Sequence, residues 1–450
     1  MRKVRVLPEC AFVTFGCKIN QYDTQAIREE ILELGYQEVE KPEGIDLLVI
    51  NSCTVTERAG LKVEERVKSL AKKNPEADII VTGCMTEDDR QRLVEIPGVV
   101  HLVGNEEKHR VAEIIQGAEL SHERPRRKSR DIFGLEISAF EGRTRAFLKI
   151  QDGCDSFCSY CIIPYLRGGS RSRDHQPVLD EARRLAEAGF SELVLTGIHL
   201  RQWGRDLGIE DGLGKLLTGL RDIDGIERIR LSSIGEGAFT DSFLDAFVAD
   251  EGLCRFFHVP LQSGSQKILD AMRRDYSLDD FVEAMTRIRE RLPDAILATD
   301  LIVGFPGETE EDFEASMEMV DTLDFAKVHL FPYSPRPRTG AARLEGHLDP
   351  AVRHDRMLRA RQHCDAVQQR VSRKRLGESV RVLLEKVSSS SEAEGLSREG
   401  LRVRVAGQGL LRGQEVRVLL ESVESGVYCG SWMEEKTLPQ KTSQEKGKNV

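Results

Sequence analysis

Between residues 145 and 331, short apolar segments with strand character alternate six times with stretches of helical periodicity, and this repetition limits the possible folds more than any other feature. The strand candidates are RAFLKI (145–150), ELVLTG (192–197), RIRLSS (228–233), RFFHV (255–259), ILATDLIV (296–303) and AKVHLF (326–331). Six successive βα units predict most of a (β/α) barrel, and six rather than eight predict a splayed barrel with one open side. In such folds the chemistry lies at the carboxyl ends of the strands.

A second alternation of strands and helices occupies residues 8–120. The runs CAFVTF, IDLLVI and ADIIVT are short and rich in β-forming residues, and the amphipathic stretches 23–34 and 59–72 lie between them. Because parallel strands need helical crossovers of this kind, the region predicts a doubly wound parallel α/β domain.

The C-terminal part alternates Val with Arg in three segments, ESVRVLLE (378–385), GLRVRV (400–405) and QEVRVLLE (414–421). Such short alternating strands predict a small antiparallel β-barrel. The predicted fold class is therefore α/β, and the chain is expected to contain an N-terminal doubly wound domain (8–120), a basic linker (121–139), a central partial (β/α)6 barrel (140–369), a small C-terminal β-barrel (370–436) and a flexible tail (437–450).

The composition indicates a folded protein of several domains, since 40% of the 450 residues are hydrophobic and 31% are charged. The longest apolar runs have strand length, so no membrane span is expected, and the first residues lack the apolar core of a secretory signal. A cytoplasmic location is therefore expected. There, ten cysteines indicate metal binding or catalysis rather than disulfides. The net charge of −10 argues against a protein that coats nucleic acid without specificity, but it allows a local basic surface.

Three cysteines, Cys154, Cys158 and Cys161, form a CxxxCxxC arrangement just after the first barrel strand. Three thiolates within eight residues can each bind a different iron of one 4Fe–4S cluster. The nearest other cysteine is Cys84, 70 residues upstream, so the fourth iron is expected to be open and able to chelate a substrate. The alternatives are a structural zinc site, which lacks a fourth His or Cys ligand here, and a chance group of buried cysteines.

Cys17, Cys53 and Cys84 are far apart in sequence, but each follows one of the three predicted N-terminal strands. The carboxyl ends of parallel strands share one sheet edge, so these thiolates are expected to approach one another and to hold a second cluster with an open iron. A single cysteine is more often a small buried packing residue, and that interpretation is kept for Cys10, Cys254, Cys364 and Cys429.

With Tyr160 before its last cysteine, the CxxxCxxC loop at the start of a βα barrel resembles the radical SAM superfamily. In that superfamily the open iron binds S-adenosylmethionine, which an electron cleaves to methionine and a 5′-deoxyadenosyl radical. Over nearly its whole length the chain resembles the methylthiotransferases. The segments that carry this resemblance are TFGCKINQYDT (14–24), NSCTVTERA (51–59), VTGC (81–84), KIQDGCDSFCSYCIIPYLRGGSRSR (149–173), VLTGIHL (194–200), IRLSSI (229–234), HVPLQSGS (258–265), DLIVGFPGETEEDF (300–313) and FPYSPRPRTGAA (331–342).

The resemblance implies insertion of a methylthio group into a C–H bond with two molecules of S-adenosylmethionine, one giving its methyl group and the other the radical. It implies a radical-generating 4Fe–4S cluster on Cys154, Cys158 and Cys161. It also implies an auxiliary, sulfur-bearing 4Fe–4S cluster on Cys17, Cys53 and Cys84. By analogy with strand-end positions of the superfamily, the expected contacts to S-adenosylmethionine are Tyr160, Thr196 and Gly197.

The family has three branches. Two act on adenosine beside the tRNA anticodon, carrying an isopentenyl or a threonylcarbamoyl group, and the third acts on an aspartate of a ribosomal protein. The segments GCKINQYDT, NSCTV, QDG and LTGIHL resemble the threonylcarbamoyl branch, which implies methylthiolation of carbon-2 of N6-threonylcarbamoyl-adenosine at tRNA position 37. The other two substrates remain alternatives. The sequence departs from the family pattern at 85–87, in GGSRSR (168–173) and in IGEGAFT (234–240), which puts substrate-side contacts in doubt.

The C-terminal module resembles the TRAM domain, a small RNA-binding barrel. Alternation predicts one basic face with Arg381, Arg402, Arg404 and Arg417, and Arg373, Lys374 and Arg375 lead into it. We expect Arg373, Lys374, Arg375, Arg402 and Arg404 to bind RNA phosphates, with a merely solvated charged face as the alternative. The expected partners are a tRNA substrate, a low-potential electron donor of flavodoxin or ferredoxin type and a sulfur donor. A metal-stabilised RNA-binding protein without catalysis is the non-enzymatic alternative.

Overall fold

The computed structural model describes residues 7–120, 131–140, 142–389 and 391–433. Residues 121–130 of the predicted basic linker and the predicted flexible tail (437–450) lie outside these ranges. The chain divides into two compact units. The first comprises the described residues up to Ser372 together with Arg398–Gly400, and the second comprises Arg373–Ser397 and the described residues from Leu401 onward.

Within residues 7–120, a parallel sheet in the order β2-β1-β3-β4-β5 confirms the predicted doubly wound domain. Its strands are β1 (Glu9–Thr14), β2 (Gln37–Glu38), β3 (Leu47–Cys53), β4 (Asp78–Cys84) and β5 (Val99–Val103), and its helices are α1 (Lys18–Glu33), α2 (Glu57–Lys73), α3 (Glu87–Val94) and α4 (Val111–Ile115). Helix α1 begins before the predicted start at residue 23, because its first turn buries the polar Asn20, which apolar periodicity does not count. Cys17 is therefore the N-cap of α1.

All six predicted barrel strands are present within the first unit. In chain order the strands are β6 (Arg145–Lys149), the short antiparallel pair β7 (Gln151–Asp152) and β8 (Arg171–Ser172), β9 (Glu192–Thr196), β10 (Arg228–Leu231), β11 (Phe256–His258), β12 (Ile296–Val303) and β13 (Lys327–Pro332). They pair in parallel as β10-β9-β6 and β11-β12-β13, and single bridges from Ile229 to Leu253 and from Ser233 to His258 join the two groups. Because β6 and β13 are edge strands, the barrel is open on one side, as six units predict.

Helices cover the outside of this barrel. They are α5 (Ile163–Arg167), α6 (His175–Glu187), α7 (Gly212–Arg221), α8 (Asp241–Ala249), α9 (Gln266–Ala271), α10 (Leu278–Arg291), α11 (Glu310–Thr322) and α12 (Pro350–Arg373). Short 3-10 turns lie at Lys108–Arg110, Asp131–Phe133, Leu200–Gln202, Arg205–Leu207, Glu236–Ala238 and Ala341–Arg343. In the described part of the chain, no helix combines the length and hydropathy that crossing a bilayer requires.

The second unit is a closed β-barrel in the order β14-β15-β16-β18-β17. Its strands are β14 (Ser379–Ser389), β15 (Glu392–Ser397), β16 (Arg402–Ala406), β17 (Glu415–Glu424) and β18 (Val427–Trp432). The sequence predicts three strands and misses β15 and β18, because each contains a glycine that weakens its strand pattern. These glycines permit close approach of neighbouring strands, since a Cβ on Gly395 would lie 2.3 Å from the Leu383 carbonyl oxygen and one on Gly430 would lie 2.1 Å from that of Leu419. The pair β16/β18 is parallel, and the other four pairs of the described barrel are antiparallel.

Buried charges join the N-terminal domain to the open barrel. Asp23 on α1 accepts hydrogen bonds from Lys108 (2.8 Å) and Lys149 (3.0 Å), and Lys149 also pairs with Asp152 (3.0 Å). All four side chains are at most 4% exposed, so loss of one partner leaves a buried unpaired charge, which costs about 3–5 kcal/mol. The network holds the end of β6 against α1, the helix that follows Cys17.

Candidate active site

The loop that carries Cys154, Cys158 and Cys161 follows β7 at the carboxyl end of the first barrel strand. Gly153 opens this loop with a φ of +75°, and a Cβ there would lie 2.0 Å from the carbonyl oxygen of Gly169, so only glycine fits. The amide of Cys161 donates to the carbonyl of Cys158 (2.9 Å). These contacts close the loop into a compact turn at the strand end.

Two basic side chains from later parts of the barrel contact the same loop. Arg274 Nη1 lies 3.2 Å from Cys158 Sγ, and His199 Nδ1 lies 3.7 Å from Cys154 Sγ and 3.4 Å from Ser156 Oγ. Burial, with the charges of neighbouring arginines, lowers the pKa of His199 to about 4, so its ring is neutral near pH 7. The guanidinium of Arg274 places a positive charge beside the Cys158 sulfur.

The strand ends of the N-terminal sheet place Cys17, Cys53 and Cys84 at one edge. Cys53 and Cys84 are register partners at the ends of β3 and β4, and Cys17 caps α1. Gly16 has a φ of +92°, and a Cβ there would lie 2.4 Å from the Cβ and 2.6 Å from the Sγ of Cys53. The chain can pass Cys53 only because residue 16 has no side chain. Asn105 Nδ2 lies 3.5 Å from Cys84 Sγ and gives this group a polar neighbour.

The donor sets suit iron–sulfur clusters better than single metal ions. In the described ranges, neither triplet has its three sulfur atoms all within 4.8 Å of one another. A tetrahedral zinc ion with Zn–S bonds of about 2.3 Å needs sulfurs about 3.8 Å apart, whereas a 4Fe–4S cluster takes each thiolate on a separate iron. Burial raises the pKa of Cys53 to about 11 and that of Cys161 to about 12, so metal binding must displace the thiol protons.

Arg167, at the end of α5, connects the two cysteine-bearing regions. Its Nη1 donates to both carboxylate oxygens of Asp152 (3.0 and 2.9 Å), and its Nη2 donates to Oδ1 of Asn20 (2.8 Å), three residues after Cys17. Burial alone would raise the pKa of Asp152, but the Arg167 guanidinium holds that pKa far below its usual range. Against the effect of burial, the charge of Asp152 in turn raises the pKa of Arg167, so this guanidinium stays positively charged between the two regions.

The residues expected to contact S-adenosylmethionine lie around the first loop. Tyr160 packs in an apolar cluster with Phe305. Thr196 ends β9, and its hydroxyl donates to the carbonyl two residues earlier in its own strand (3.2 Å). At Gly197, a Cβ would lie 2.9 Å from Oε1 of Gln151, so close packing requires glycine. The roles of these three residues stay predictions.

Known proteins carry the same domains. Residues 9–104 match the family described as Uncharacterized protein family UPF0004, and residues 148–320 match the Radical SAM superfamily. The threonylcarbamoyladenosine tRNA methylthiotransferase MtaB of Chlamydia pneumoniae is 40% identical over 377 residues, which are 84% of this chain and 86% of that protein. The chain belongs to the radical SAM tRNA methylthiotransferases. This confirms the predicted resemblance and the prediction that the chain is an enzyme.

Other relatives of this methylthiotransferase differ in substrate. The tRNA-2-methylthio-N(6)-dimethylallyladenosine synthase of Jannaschia sp. (strain CCS1) is 33% identical over 426 residues, 93% of this chain and 92% of that protein. A solved radical S-adenosylmethionine methyltransferase, TsrM from Kitasatospora setae, shares the fold with a TM-score of 0.56 and 17% identity, over 75% of this chain and 77% of that chain. Membership in the superfamily implies a 4Fe–4S cluster and S-adenosylmethionine, and the number of clusters stays a prediction.

Four side chains near the cysteines are not singled out in the sequence: Asn105, Arg167, His199 and Arg274. Arg167 and His199 lie inside segments that carry the family resemblance, and those segments could have indicated them. Arg274 carries no local signal, because its contact with Cys158 spans 116 residues of sequence. The same is true of Asn105, which reaches Cys84 from the segment after β5.

The C-terminal barrel exposes the arginines that alternation predicts. Arg381, Arg402, Arg404 and Arg417 are exposed. The prediction of one basic face is wrong, because in the closed strand order β16 lies across the barrel from the neighbouring strands β14 and β17, so Arg402 and Arg404 lie on the side opposite to Arg381 and Arg417. Arg381 and Arg417 are register partners on β14 and β17, and like charges placed directly opposite repel one another unless an anion lies near them. Arg373 and Lys374 are also exposed. Arg375 is only 9% exposed and pairs with Glu378 (2.6 Å), so its expected place on an RNA-binding surface does not fit its position.

Proposed function

We propose that this methylthiotransferase modifies carbon-2 of N6-threonylcarbamoyl-adenosine at tRNA position 37, using two 4Fe–4S clusters and two molecules of S-adenosylmethionine. The supporting observation is a cysteine triplet at the carboxyl end of each of two parallel sheets, with Arg167 bonded to both regions. One cluster accounts for radical formation, and a second gives the sulfur a binding place. The choice of substrate is supported by the name of the 40% identical relative and by the segments that resemble its branch.

In this proposal Cys154, Cys158 and Cys161 would hold the cluster, which when bound would supply the electron for cleaving S-adenosylmethionine. The hydrogen of carbon-2 leaves in 5′-deoxyadenosine, and a C–S bond replaces the C–H bond. The methyl group comes from the second S-adenosylmethionine, which leaves as S-adenosylhomocysteine. Cys17, Cys53 and Cys84 hold the auxiliary cluster. The electrons come from a low-potential donor of flavodoxin or ferredoxin type, and the sulfur comes from a separate donor.

The contacts of this chain's own residues suggest their roles. Arg274 places its positive charge beside the Cys158 sulfur, and the neutral ring of His199 lies against Cys154. Arg167 fixes the spacing of the two loops because it bonds to Asp152 and Asn20 at once. We place S-adenosylmethionine against Tyr160 and the backbone of Thr196 and Gly197, since the Thr196 hydroxyl is already bonded within its strand.

The substrate can be tested by mass spectrometry of tRNA nucleosides from cells with and without the gene. We expect the deletion to remove the methylthio group from threonylcarbamoyl-adenosine and to leave dimethylallyl-adenosine derivatives unchanged. Restoring the gene should restore the mark, and restoring a Cys158→Ala variant should not. Loss of the mark from dimethylallyl-adenosine alone, or from a ribosomal-protein aspartate alone, would contradict the proposed substrate.

We further propose that Arg402 and Arg404 on β16, with Arg373 and Lys374, bind tRNA phosphates. Replacing Arg402 and Arg404 together with Gln should weaken tRNA binding and make the slope of log K against log salt shallower by about 2, because each phosphate contact contributes about 0.9 to that slope. Anisotropy titrations at several salt concentrations measure it. The control is the double variant Lys62→Gln and Lys72→Gln, which removes the same amount of charge from two exposed lysines of α2. An unchanged slope in the arginine variant would count against this surface.

A further inference from the structure

A group of polar side chains lies on the second half of the open barrel, away from both cysteine triplets in sequence. His258, Asp300 and His329 come from β11, β12 and β13, and their ligand atoms lie within 4.8 Å of one another. His258 Nε2 is 2.8 Å from Asp300 Oδ1, and the two imidazole centroids are 5.4 Å apart. All three are partly exposed, so water and a ligand can reach them.

These side chains face the inside of the barrel. Phe257, next to His258, packs against Phe239 and Phe247 beneath the outer helices, so His258 points the other way. On β13, Leu330 lines an outer groove with residues of α12, so its neighbour His329 also points inward.

Two lysines, both exposed in the structure, lie near this group. Lys327 lies on the same strand face as His329, and the charges of Lys327 and Lys18 both act on His329. Within the described residues, neither lysine has a carboxylate within ion-pair distance. The charges of Arg145 and Arg230 also act on Lys18, but each of these arginines pairs with a carboxylate, that of Glu192 (3.8 and 2.7 Å).

Two His and one Asp can also bind a divalent cation, but the surrounding charge argues against one here. The Asp300 carboxylate already bonds to His258, and the positive charges of Lys327 and Lys18 that act on His329 outnumber the one negative charge of Asp300. A cation would add to this repulsion, whereas an anion would relieve it. The ligand class that fits is an anion small enough to enter the barrel.

The position of this group relative to the cysteines indicates that its ligand belongs to the substrate base. Lys18 directly follows Cys17, in the segment GCKINQYDT that resembles the threonylcarbamoyl branch. Asp300 shares its strand face with Ile302, which packs in the apolar cluster that includes Tyr160 of the other triplet's loop. A ligand held by this group therefore lies in the barrel region that borders both cysteine-bearing loops.

We propose that Lys18, Lys327 and His329 bind the carboxylate of the threonylcarbamoyl group. This contact lets the enzyme distinguish its substrate from an adenosine that carries an uncharged dimethylallyl group. This inference rests on the proposed function, because it takes the substrate from it. Two ammonium groups and an imidazole N–H match a carboxylate with several acceptor sites. The pair His258–Asp300 is a positioning element that keeps the polar side chains beside His329 in place.

The test compares anticodon stem-loop RNAs that carry threonylcarbamoyl-adenosine or its methyl ester, which removes the negative charge and adds one methyl group. Binding to the reconstituted holoenzyme is measured anaerobically by fluorescence anisotropy. The wild-type protein should bind the acid at least about tenfold more tightly than the ester, a charged hydrogen bond being worth about that factor or more. Lys327→Gln and Lys18→Gln should reduce this ratio towards one without weakening the ester. Lys215→Gln, exposed on α7, should keep the wild-type ratio.

A wild-type ratio of one, or an unchanged ratio in both barrel variants, would overturn the proposal. Because Lys18 adjoins Cys17, the iron content of its variant is measured in parallel, and Lys327→Gln gives a result independent of that cysteine. Turnover of wild-type protein on threonylcarbamoyl and dimethylallyl stem-loops separates the two proposals. Conversion of the dimethylallyl RNA alone contradicts the proposed function. If the enzyme converts the threonylcarbamoyl RNA but binds the acid and the ester with equal affinity, only the carboxylate site is contradicted.

Discussion

Replacing Cys158 with alanine is expected to abolish reductive cleavage of S-adenosylmethionine, whereas replacing Cys53 with alanine should leave that cleavage and stop methylthio transfer. The two residues lie at the ends of different sheets, so each change should affect one cluster. After anaerobic reconstitution the wild type should hold about eight irons per chain and each variant about four. Mass spectrometry of 5′-deoxyadenosine and of the methylthio nucleoside, with a chemical reductant, measures both activities.

Cys364→Ala is the matched control for this comparison. Cys364 lies on α12, is 6% exposed and packs in the main apolar core, so its loss should cost about 1 kcal/mol in packing and leave the iron content and both activities intact. If Cys53→Ala lost 5′-deoxyadenosine formation as completely as Cys158→Ala, the two triplets would not act as separate centres. Stoichiometric zinc in place of iron would contradict both assignments.

The substitution Gly16→Ala is expected to remove the auxiliary cluster although it replaces none of the proposed ligand residues. The new Cβ would lie 2.4 Å from the Cβ of Cys53, so that side chain must move. Misplacing a reacting group by about 1 Å can cost about 100-fold in rate, and we expect at least that loss of methylthio transfer. Cleavage of S-adenosylmethionine should continue, because the loop of Cys158 is not involved. Iron analysis and the same two product assays measure the effect.

The variant Gly35→Ala distinguishes the effect of this clash from the effect of backbone strain. Gly35 has a φ of +91°, nearly that of Gly16 (+92°), but a Cβ there has no heavy atom within 4 Å. Both variants should lose about 1–2 kcal/mol of unfolding free energy through the left-handed conformation. Only Gly16→Ala should lose iron. Equal iron content in the two variants would show that Cys53 tolerates the displacement.

The sequence supports predictions wherever the signal is local. Barrel strand β12 has the predicted limits, 296–303, because a run of eight mostly apolar residues between charged segments has few alternative structures. The sheet edge shared by Cys17, Cys53 and Cys84 follows from parallel pairing, which brings strand ends together whatever the loops do. Strand β18 escaped prediction because Gly430 interrupts its alternation, and the need for that glycine is evident only from the neighbouring strand.

The amino-acid sequence by itself determined the α/β fold class and the order of the domains, since strand periodicity is a property of short segments, and its motifs indicated the family by their resemblance to known members. Only the tertiary structure decided which side chains surround the thiols and fill the barrel. The contact of Arg274 with Cys158 spans 116 residues, and the charge of Lys327 acts on Lys18 only because α1 lies against the open barrel. Such neighbours depend on how whole elements pack, and no pattern within one segment records that packing.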